Sequence, residues 1–366
     1  MTGCTMSMAG MQGQVKVAPA RWWHVPGLSR LIRETRRRPE GAPAAGEAAL
    51  LWSPYWSPSL GLLQSVWTSR MPGLPGPRSF VAEASNRAVG LAQMRPGDEP
   101  HQWEVVFLAL EDAAEPARLG LPDGTRAPLT FIPDRRAARL LGELCDAGVQ
   151  LGAERIFASV ADDGGRYELF KQVGFAAVVR EYDYYRTTGD APPLPDAAPA
   201  IAGLRRQQRA DAFGLLQLYQ ACTPKLVQMA EGKRSRSWDL PAPGWGRRLA
   251  HRRGAGRWVV ERDGRKVAWL RLSRRGQGSP GALSGQLLVD PRAADLARPL
   301  VEYALAKAAR APVRSILIRV REHQPGVMSA LESWGFNPVE SRLLMIKQLA
   351  APVRHPQFVP AMEKVV

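Results

Sequence analysis

Cysteine, histidine and glycine-rich segments are where chemistry could sit, and their spacing in this chain removes several kinds at once. The three cysteines, Cys4, Cys145 and Cys222, form no C-x-x-C pair, so no zinc site is expected. The five histidines (His24, His101, His251, His323, His355) are scattered, without H-x-x-x-H or H-E-x-x-H. That leaves no metal-enzyme signature. Three thiols build no disulfide framework, and a reducing cytoplasm is the expected compartment. Cys145 falls on the apolar face of a predicted helix and reads as a small buried hydrophobe. Cys222 has no histidine nearby in sequence and reads as core or helix end, not as a nucleophile. Gly276-Gln-Gly278-Ser-Pro-Gly281 is a literal G-x-G-x-x-G, but the strand-like run ALSGQLLV follows it. The dinucleotide mechanism needs a helix there, so a hairpin loop is expected.

Charge is the second chemical signal. The chain carries 50 Lys and Arg against 34 Asp and Glu, net +16. Residues 1–187 hold 21 basic and 20 acidic side chains, whereas residues 188–366 hold 29 and 14. Residues 233–275 alone hold 14 basic and 3 acidic residues. An arginine-rich composition follows from a genome rich in G and C, but such a bias does not confine the excess to one half. The uneven field suits an anionic partner, either nucleic acid or a phosphorylated ligand. Arg247, Arg248, Arg252, Arg253 and Arg257 are the densest group, read as a solvated face or as phosphate contacts. Trp238, Trp245, Trp258 and Trp269 interleave with them at irregular spacing, weak ground for base stacking.

The elements that must position these residues follow from length and pattern. A chain of 366 residues, 45% hydrophobic and 23% charged, is long enough for about two domains with real cores. No apolar run reaches the ~18 residues of a membrane-spanning helix, so no membrane association is expected. Residues 1–13 lack the charged start and apolar core of a secretion signal; they are expected to be disordered. The Pro/Ala-rich stretch 188–200 (TGDAPPLPDAAPA) reads as a semi-rigid linker. It separates a first domain, 14–187, from a second, 201–349, and a tail follows at 350–366.

The two parts repeat each other at an offset near 160 residues. YELFKQVGF (Tyr167–Phe175) matches MSALESWGF (Met328–Phe336), each a helical turn closing on Gly-Phe. There glycine suits the left-handed position after a helix. Upstream, the alternating runs ERIFASV and RSILIRV read as strands. AARLLGELCDAG and LARPLVEYALAK carry apolar residues at helical spacing. NRAVGLAQM and WEVVFLALE have counterparts in GRKVAWLRL and ALSGQLLVD. Each half reads strand, helix, strand pair, strand, helix, strand, helix, strand. The fold class is mixed α/β with a partly antiparallel sheet.

This order, ending twice in helix, Gly-Phe and a last strand, resembles the GNAT superfamily of acyl-CoA-dependent N-acyltransferases, present in two tandem copies. The resemblance covers about 14–187 and 201–349. It implies that the fourth strand of a copy splays from the fifth. Acetyl-CoA then lies in the opening as acyl donor, with an amine as acceptor. It also implies a phosphate-binding loop, [RQ]-x-x-G-x-[GA], leading into the next helix, where backbone N–H groups hold an anion. In the second copy, Arg292 and Ala297 match that pattern while Asp295 stands where glycine belongs. Leu288, Val289, Arg292, Ala293 and Ala297 are the expected cofactor-binding residues. In the first copy the corresponding segment, Ile132-Pro-Asp134-Arg135-Arg136-Ala137, matches only at its last position, after the insertion 111–128.

Glu104, on WEVVFLAL, lies where the resemblance places a general base; the plainer reading is a strand-end carboxylate facing water. Glu111 and Asp112 end the same strand and read as loop charges. The family's tyrosine acid is replaced by Phe170 and Leu331, neither of which donates a proton. At least one copy is therefore expected to be degenerate. The alternative function is a non-catalytic binding protein on the same fold with a nucleic-acid or phosphorylated partner. A third reading has one half stabilising the other. Trp52, Tyr55, Trp56 and Trp67 are expected in core or loop packing, or as an apolar lining for the acceptor.

Overall fold

A computed structural model of the chain describes residues 16–36, 49–52, 57–68, 76–84, 87–97, 99, 101–111, 135–162, 165–190, 192–193, 195, 197–240, 255–274 and 282–349. Residues 1–13, Tyr55, Trp56, 112–134, Trp245, Arg247, Arg248, His251, Arg252, Arg253, Gly276–Gly281 and the tail 350–366 lie outside the described residues.

The first half runs β1 (Lys16–Pro19), α1 (Val25–Arg36), β2 (Ala49–Trp52), α2 (Pro58–Thr68), β3 (Arg78–Ala84), β4 (Arg87–Pro96), β5 (Gln102–Leu110), α3 (Arg135–Gln150), β6 (Arg155–Ala161), α4 (Gly165–Gln172) and β7 (Ala176–Thr187). The second runs β8 (Leu204–Arg206), α5 (Ala212–Cys222), α6 (Lys225–Glu231), β9 (Gly256–Arg262), β10 (Arg265–Arg274), β11 (Ala282–Val289), α7 (Ala297–Ala309), β12 (Ser315–Arg321), α8 (Pro325–Ser333) and β13 (Asn337–Gln348).

The repeated patterns fold as expected. Along β6, alternate residues Ile156, Ala158 and Val160 are buried, the period of a strand with one apolar face. On α3 the buried positions Ala137, Leu140, Leu141, Leu144 and Cys145 recur at helical spacing. Both Gly-Phe endings use left-handed glycines, φ 92° at Gly174 and 73° at Gly335. In each, the phenylalanine N–H donates back five residues, Phe175 to Phe170 O at 3.0 Å and Phe336 to Leu331 O at 3.1 Å. This is the Schellman ending that a Cβ would strain. Helices cover both faces of each half. In the first, α3 and α4 bury one core, and α1 and α2 the other. In the second, α7 and α8 lie on one face and α5 on the other.

The sheet does not divide at the linker. Among the described residues, thirteen strands form one sheet in the order β1-β3-β4-β5-β6-β13-β7-β12-β11-β10-β9-β8, with β2 paired to β5 off this path. The last strand of the chain, β13, runs antiparallel between β6 and β7, both from the first half. In return β7 pairs antiparallel with β12 of the second half. Each half thus completes its sheet with the closing strand of the other.

Charged pairs on the exchanged strands fix this register. Arg319 grips Asp183 through Nε (2.6 Å) and Nη2 (2.8 Å). Arg321 reaches Glu181 at 3.2 Å and Glu231 at 2.6 and 3.1 Å. All are largely buried, where losing one partner of a pair costs about 3–5 kcal/mol. The second half also docks on the β4–β5 turn: Gln102 donates to Glu231 O at 2.7 Å, and Ser237 bonds Glu99.

Candidate functional site

The second half opens where β11 and β12 part. These parallel strands stay paired from Ala282↔Ser315 to Gln286↔Arg319 and no further. Beyond that point β11 remains tied to β10 on its other side, through Leu287↔Leu270, Leu288↔Trp269 and Val289↔Ala268. Asp290 N–H donates to Val267 O at 2.8 Å. The alternation of an antiparallel ladder then turns the backbone groups of Leu288 toward β10 and those of Leu287 and Val289 toward the opening. Leu287 O accepts from Gln324 Nε2 at 3.2 Å. Val289 O accepts from Cys222 Sγ, also at 3.2 Å. The N–H of Val289 is left directed into the gap.

The loop after β11 is a 3-10 turn, Pro291–Leu296, feeding α7 at Ala297. Asp290 caps it: Oδ1 accepts from Arg292 N at 2.9 Å, and Asp290 O accepts from Ala293 N at 2.8 Å. Ala293 and Ala297 are buried, whereas Arg292 is exposed. Asp295 points outward and meets Arg262 at 2.7 and 3.2 Å. Hydrogen bonding from Arg262 holds its carboxyl below the usual range, so the charge standing in place of the expected glycine is neutralised locally.

On the α5 face, a cavity of about 300 Å³ reaches this opening. Tyr219, Trp238 and Trp269 form its aromatic wall, with Trp238 edge-on to Trp269 at 5.3 Å between centroids. Gln207 fixes two of them, donating to Trp238 O at 2.7 Å and accepting from Trp269 Nε1 at 3.0 Å. Opposite stand Arg271, Gln286, Arg319 and Arg321. Behind them, burial alone would raise the Glu231 carboxyl. Lys233 and Arg321, with hydrogen bonds from Arg321 and Tyr219, outweigh it and hold the group well below the usual range. A second cavity of about 560 Å³ shares Glu181, Lys233, Arg271, Gln286, Arg319 and Arg321 and extends to the first half at Arg95, Gln102, Glu104 and Ser159.

The equivalent place in the first half is closed. There β5 and β6 pair only from Gln102↔Arg155 to Val105↔Ala158. The edge of β5 beyond is taken by β2, antiparallel, at Ala49↔Ala109, Leu51↔Leu108 and Trp52↔Phe107. Leu51 enters the core at 2% exposure. Glu111 N–H donates to Val89 O, as Asp290 does to Val267, so Leu108 and Leu110 correspond to Leu287 and Val289. The chain itself lies along the edge that the second half leaves open.

No protein-family model matches the chain, and no curated protein matches it. Among solved structures, a tandem GNAT protein from the clavulanic acid biosynthesis pathway, determined without acetyl-CoA, superposes at TM-score 0.51 and 15% identity. That match covers 92% of this chain and 98% of the other. A GCN5-related N-acetyltransferase from Sphaerobacter thermophilus gives TM-score 0.50 and 13% identity, covering 91% and 95%. The fold is a tandem GNAT fold.

Within this tandem GNAT fold the sequence-derived residues fall apart into groups. Val289, Arg292, Ala293 and Ala297 surround the open edge and its loop, while the backbone of Leu288 faces β10. Glu104 lies in the first half on the wall of the larger cavity, held by Arg95 at 2.6 and 2.9 Å. Phe170 and Leu331 are fully buried. Trp238, Trp258 and Trp269 are also largely buried. Trp67 corrects the expectation of core packing: it is 59% exposed on α2. Cys145 and Cys222 are buried thiols, pushed up by desolvation to about 11 and about 12. No helix among the described residues is long and apolar enough to cross a membrane.

Sequence reasoning missed Glu181, Arg319, Arg321, Glu231 and Gln324, which build the polar walls of the two cavities. It also missed His323, whose two ring nitrogens are buried without hydrogen-bond partners among the described residues. Burial, reinforced by Arg321, lowers its pKa. The alternation of EYDYYR in β7 against SILIRVR in β12 was the available signal: acidic and basic residues at period two, matched for neighbouring strands.

Proposed function

We propose that the chain is an acyl-CoA-dependent N-acyltransferase whose transfer site lies in the second half, with the first half as a non-catalytic support. The observation that carries this reading is the contrast between the two strand edges: open at Leu287–Val289, filled by β2 in the first half. An extended pantetheine arm carries amide groups that pair with a strand edge as another strand would. The open edge fits such an arm, and the four residues of β2 show the same pairing made by peptide.

The diphosphate end of an acyl-CoA would meet the 3-10 turn at Pro291–Leu296 and the exposed side chain of Arg292. Two amides of this turn are occupied by Asp290, so the turn offers a thinner cradle than the family pattern implies. Acetyl-CoA supplies an activated thioester. The chain's part is to align a neutral amine with its carbonyl carbon; the C–N bond forms as the C–S bond breaks, and the thiolate leaves with a proton. Val289 N–H, directed into the gap, suits the developing oxyanion. The amine's proton passes to a carboxylate of the shared cleft, directly or through water. Glu99, Glu104, Glu181 and Glu231 are the carboxylates on its walls, and Glu104 and Glu181 are the two assigned this role.

Calorimetric titration of the full chain with acetyl-CoA tests this reading, with desulfo-CoA as an inert analogue. The expected result is one micromolar site per chain. Two sites would mean that β2 yields its place, and no binding by folded protein would leave the non-catalytic reading.

A further inference from the structure

One transverse row of side chains crosses the second half at the point where β11 and β12 separate. Strand register places Arg257 of β9 opposite Arg271 of β10, Arg271 opposite Gln286 of β11, Gln286 beside Arg319 of β12, and Arg319 opposite Asp183 of β7. The four second-half members of the row line the same cavity. Arg319 has its counter-charge in Asp183. Arg271 has none: its side chain makes no hydrogen bond or ion pair among the described residues, although it sits mid-sheet and only partly exposed. Arg257, which donates to Asp239 O at 3.1 Å, stands directly opposite Arg271, and like charges opposite one another on neighbouring strands repel; an anion at Arg271 would relieve this. The cavity's remaining cations are Arg321, paired with Glu181 and Glu231, and Lys233 and Arg236 on the segment after α6.

The side of the sheet decides what this anion belongs to. Leu287 and Val289 direct their side chains to the core under α7, whereas Leu288 packs with α5, Trp238 and Trp269. The cavity lies on the α5 side, the phosphate-binding turn on the α7 side. The anion held by Arg271 is therefore not the diphosphate of the acyl donor. We infer that the acceptor is a small amine that also carries a carboxylate or phosphate group, with Arg271 as its anchor and the aromatic wall of Trp238 and Trp269 beside it. A guanidinium lining an open cavity binds either group through two parallel N–H bonds. About 300 Å³ suits a small molecule. This inference rests on the transfer site proposed above for its meaning, but not for its test.

The experiment is calorimetric titration of the full chain with inorganic phosphate, glutarate and the neutral isostere glutaramide, alongside acetyl-CoA. Arg271→Gln, Arg271→Lys and the exposed turn variant Arg265→Gln are compared with the parent, each first shown folded by circular dichroism. One or both anions should bind the parent, and glutaramide should not. Arg271→Gln should weaken anion binding tenfold or more, Arg271→Lys by only a few-fold, and Arg265→Gln not at all. Phosphate alone would indicate a phosphorylated amine, glutarate alone an amino-acid-like acceptor. Anion binding without acetyl-CoA binding would sink the transferase reading and leave this site standing. Acetyl-CoA binding with equal anion affinity in Arg271→Gln, or with no preference over glutaramide, would overturn this inference alone. So would retention of a single-stranded oligonucleotide by a chain that binds neither small anion.

Discussion

Two strand edges that correspond residue for residue have opposite fates. In the second half Leu287 and Val289 face a gap; in the first, Leu108 and Leu110 face β2. The backbone geometry needed to receive an extended ligand exists in both. Access alone differs, and a four-residue strand with one buried leucine is enough to remove it. A duplicated fold can therefore keep the same strand in both copies and leave its edge open in only one.

The comparison breaks most completely if the halves are separable. Ending the chain before Asn337 removes β13 and leaves β6 and β7 without the strand between them. The expected product is insoluble or unfolded, read by solubility and circular dichroism; a folded, soluble fragment would show that the exchanged strand is dispensable.

A gentler intervention addresses the open edge. Val289→Pro deletes the N–H directed into the gap while leaving the β10 ladder intact, because Leu288 and Asp290 face that way. Turnover should fall about 100-fold or more, the typical effect of losing one oxyanion donor. Stopped-assay rates at saturating acetyl-CoA would show it, and an unchanged rate would exclude Val289 from that role.

The closed edge responds differently. Leu51→Ala should cost about 2–4 kcal/mol of stability, as for other buried leucines. It should leave acetyl-CoA stoichiometry at one. Chemical denaturation gives the first quantity and calorimetry the second; a second site would mean that β2 is a displaceable plug. The smallest effect is expected at Asp295→Asn. The pair with Arg262 is exposed and screened by solvent, so stability should hardly change. Acetyl-CoA affinity should rise a few-fold as the carboxylate near the turn disappears.

Much of the architecture is legible in the chain because it is local. Alternation gives β6 and β12, apolar spacing gives α3 and α7, and Gly174 and Gly335 mark the helix ends. The exchange of β7 and β13 is not local. Their patterns are those of strands with an apolar face, and nothing in them states which half supplies the neighbour. The complementary charges of Glu181 and Asp183 with Arg319 and Arg321 carry that message, but only once the two strands are considered together. β2 was hidden for another reason: four residues between proline- and glycine-rich stretches show too little periodicity to be read. Arg271 lay within a basic run whose density masked it. Its separate character comes from register, which sets it between Arg257 and Gln286 at the mouth of the gap.

The position of β13 also governs the order in which the protein can be finished during synthesis. Arg342 of that strand bonds Ser159 across 183 residues of chain. At about 5–20 residues per second, the ribosome needs roughly 10–30 s to travel from the end of β7 to β13. Throughout that interval the first half waits with a gap in its sheet, and two strand edges remain open to any neighbour that fits. The half that is made first is thus completed only by the second, and a nascent chain stays exposed to mispairing until β13 emerges.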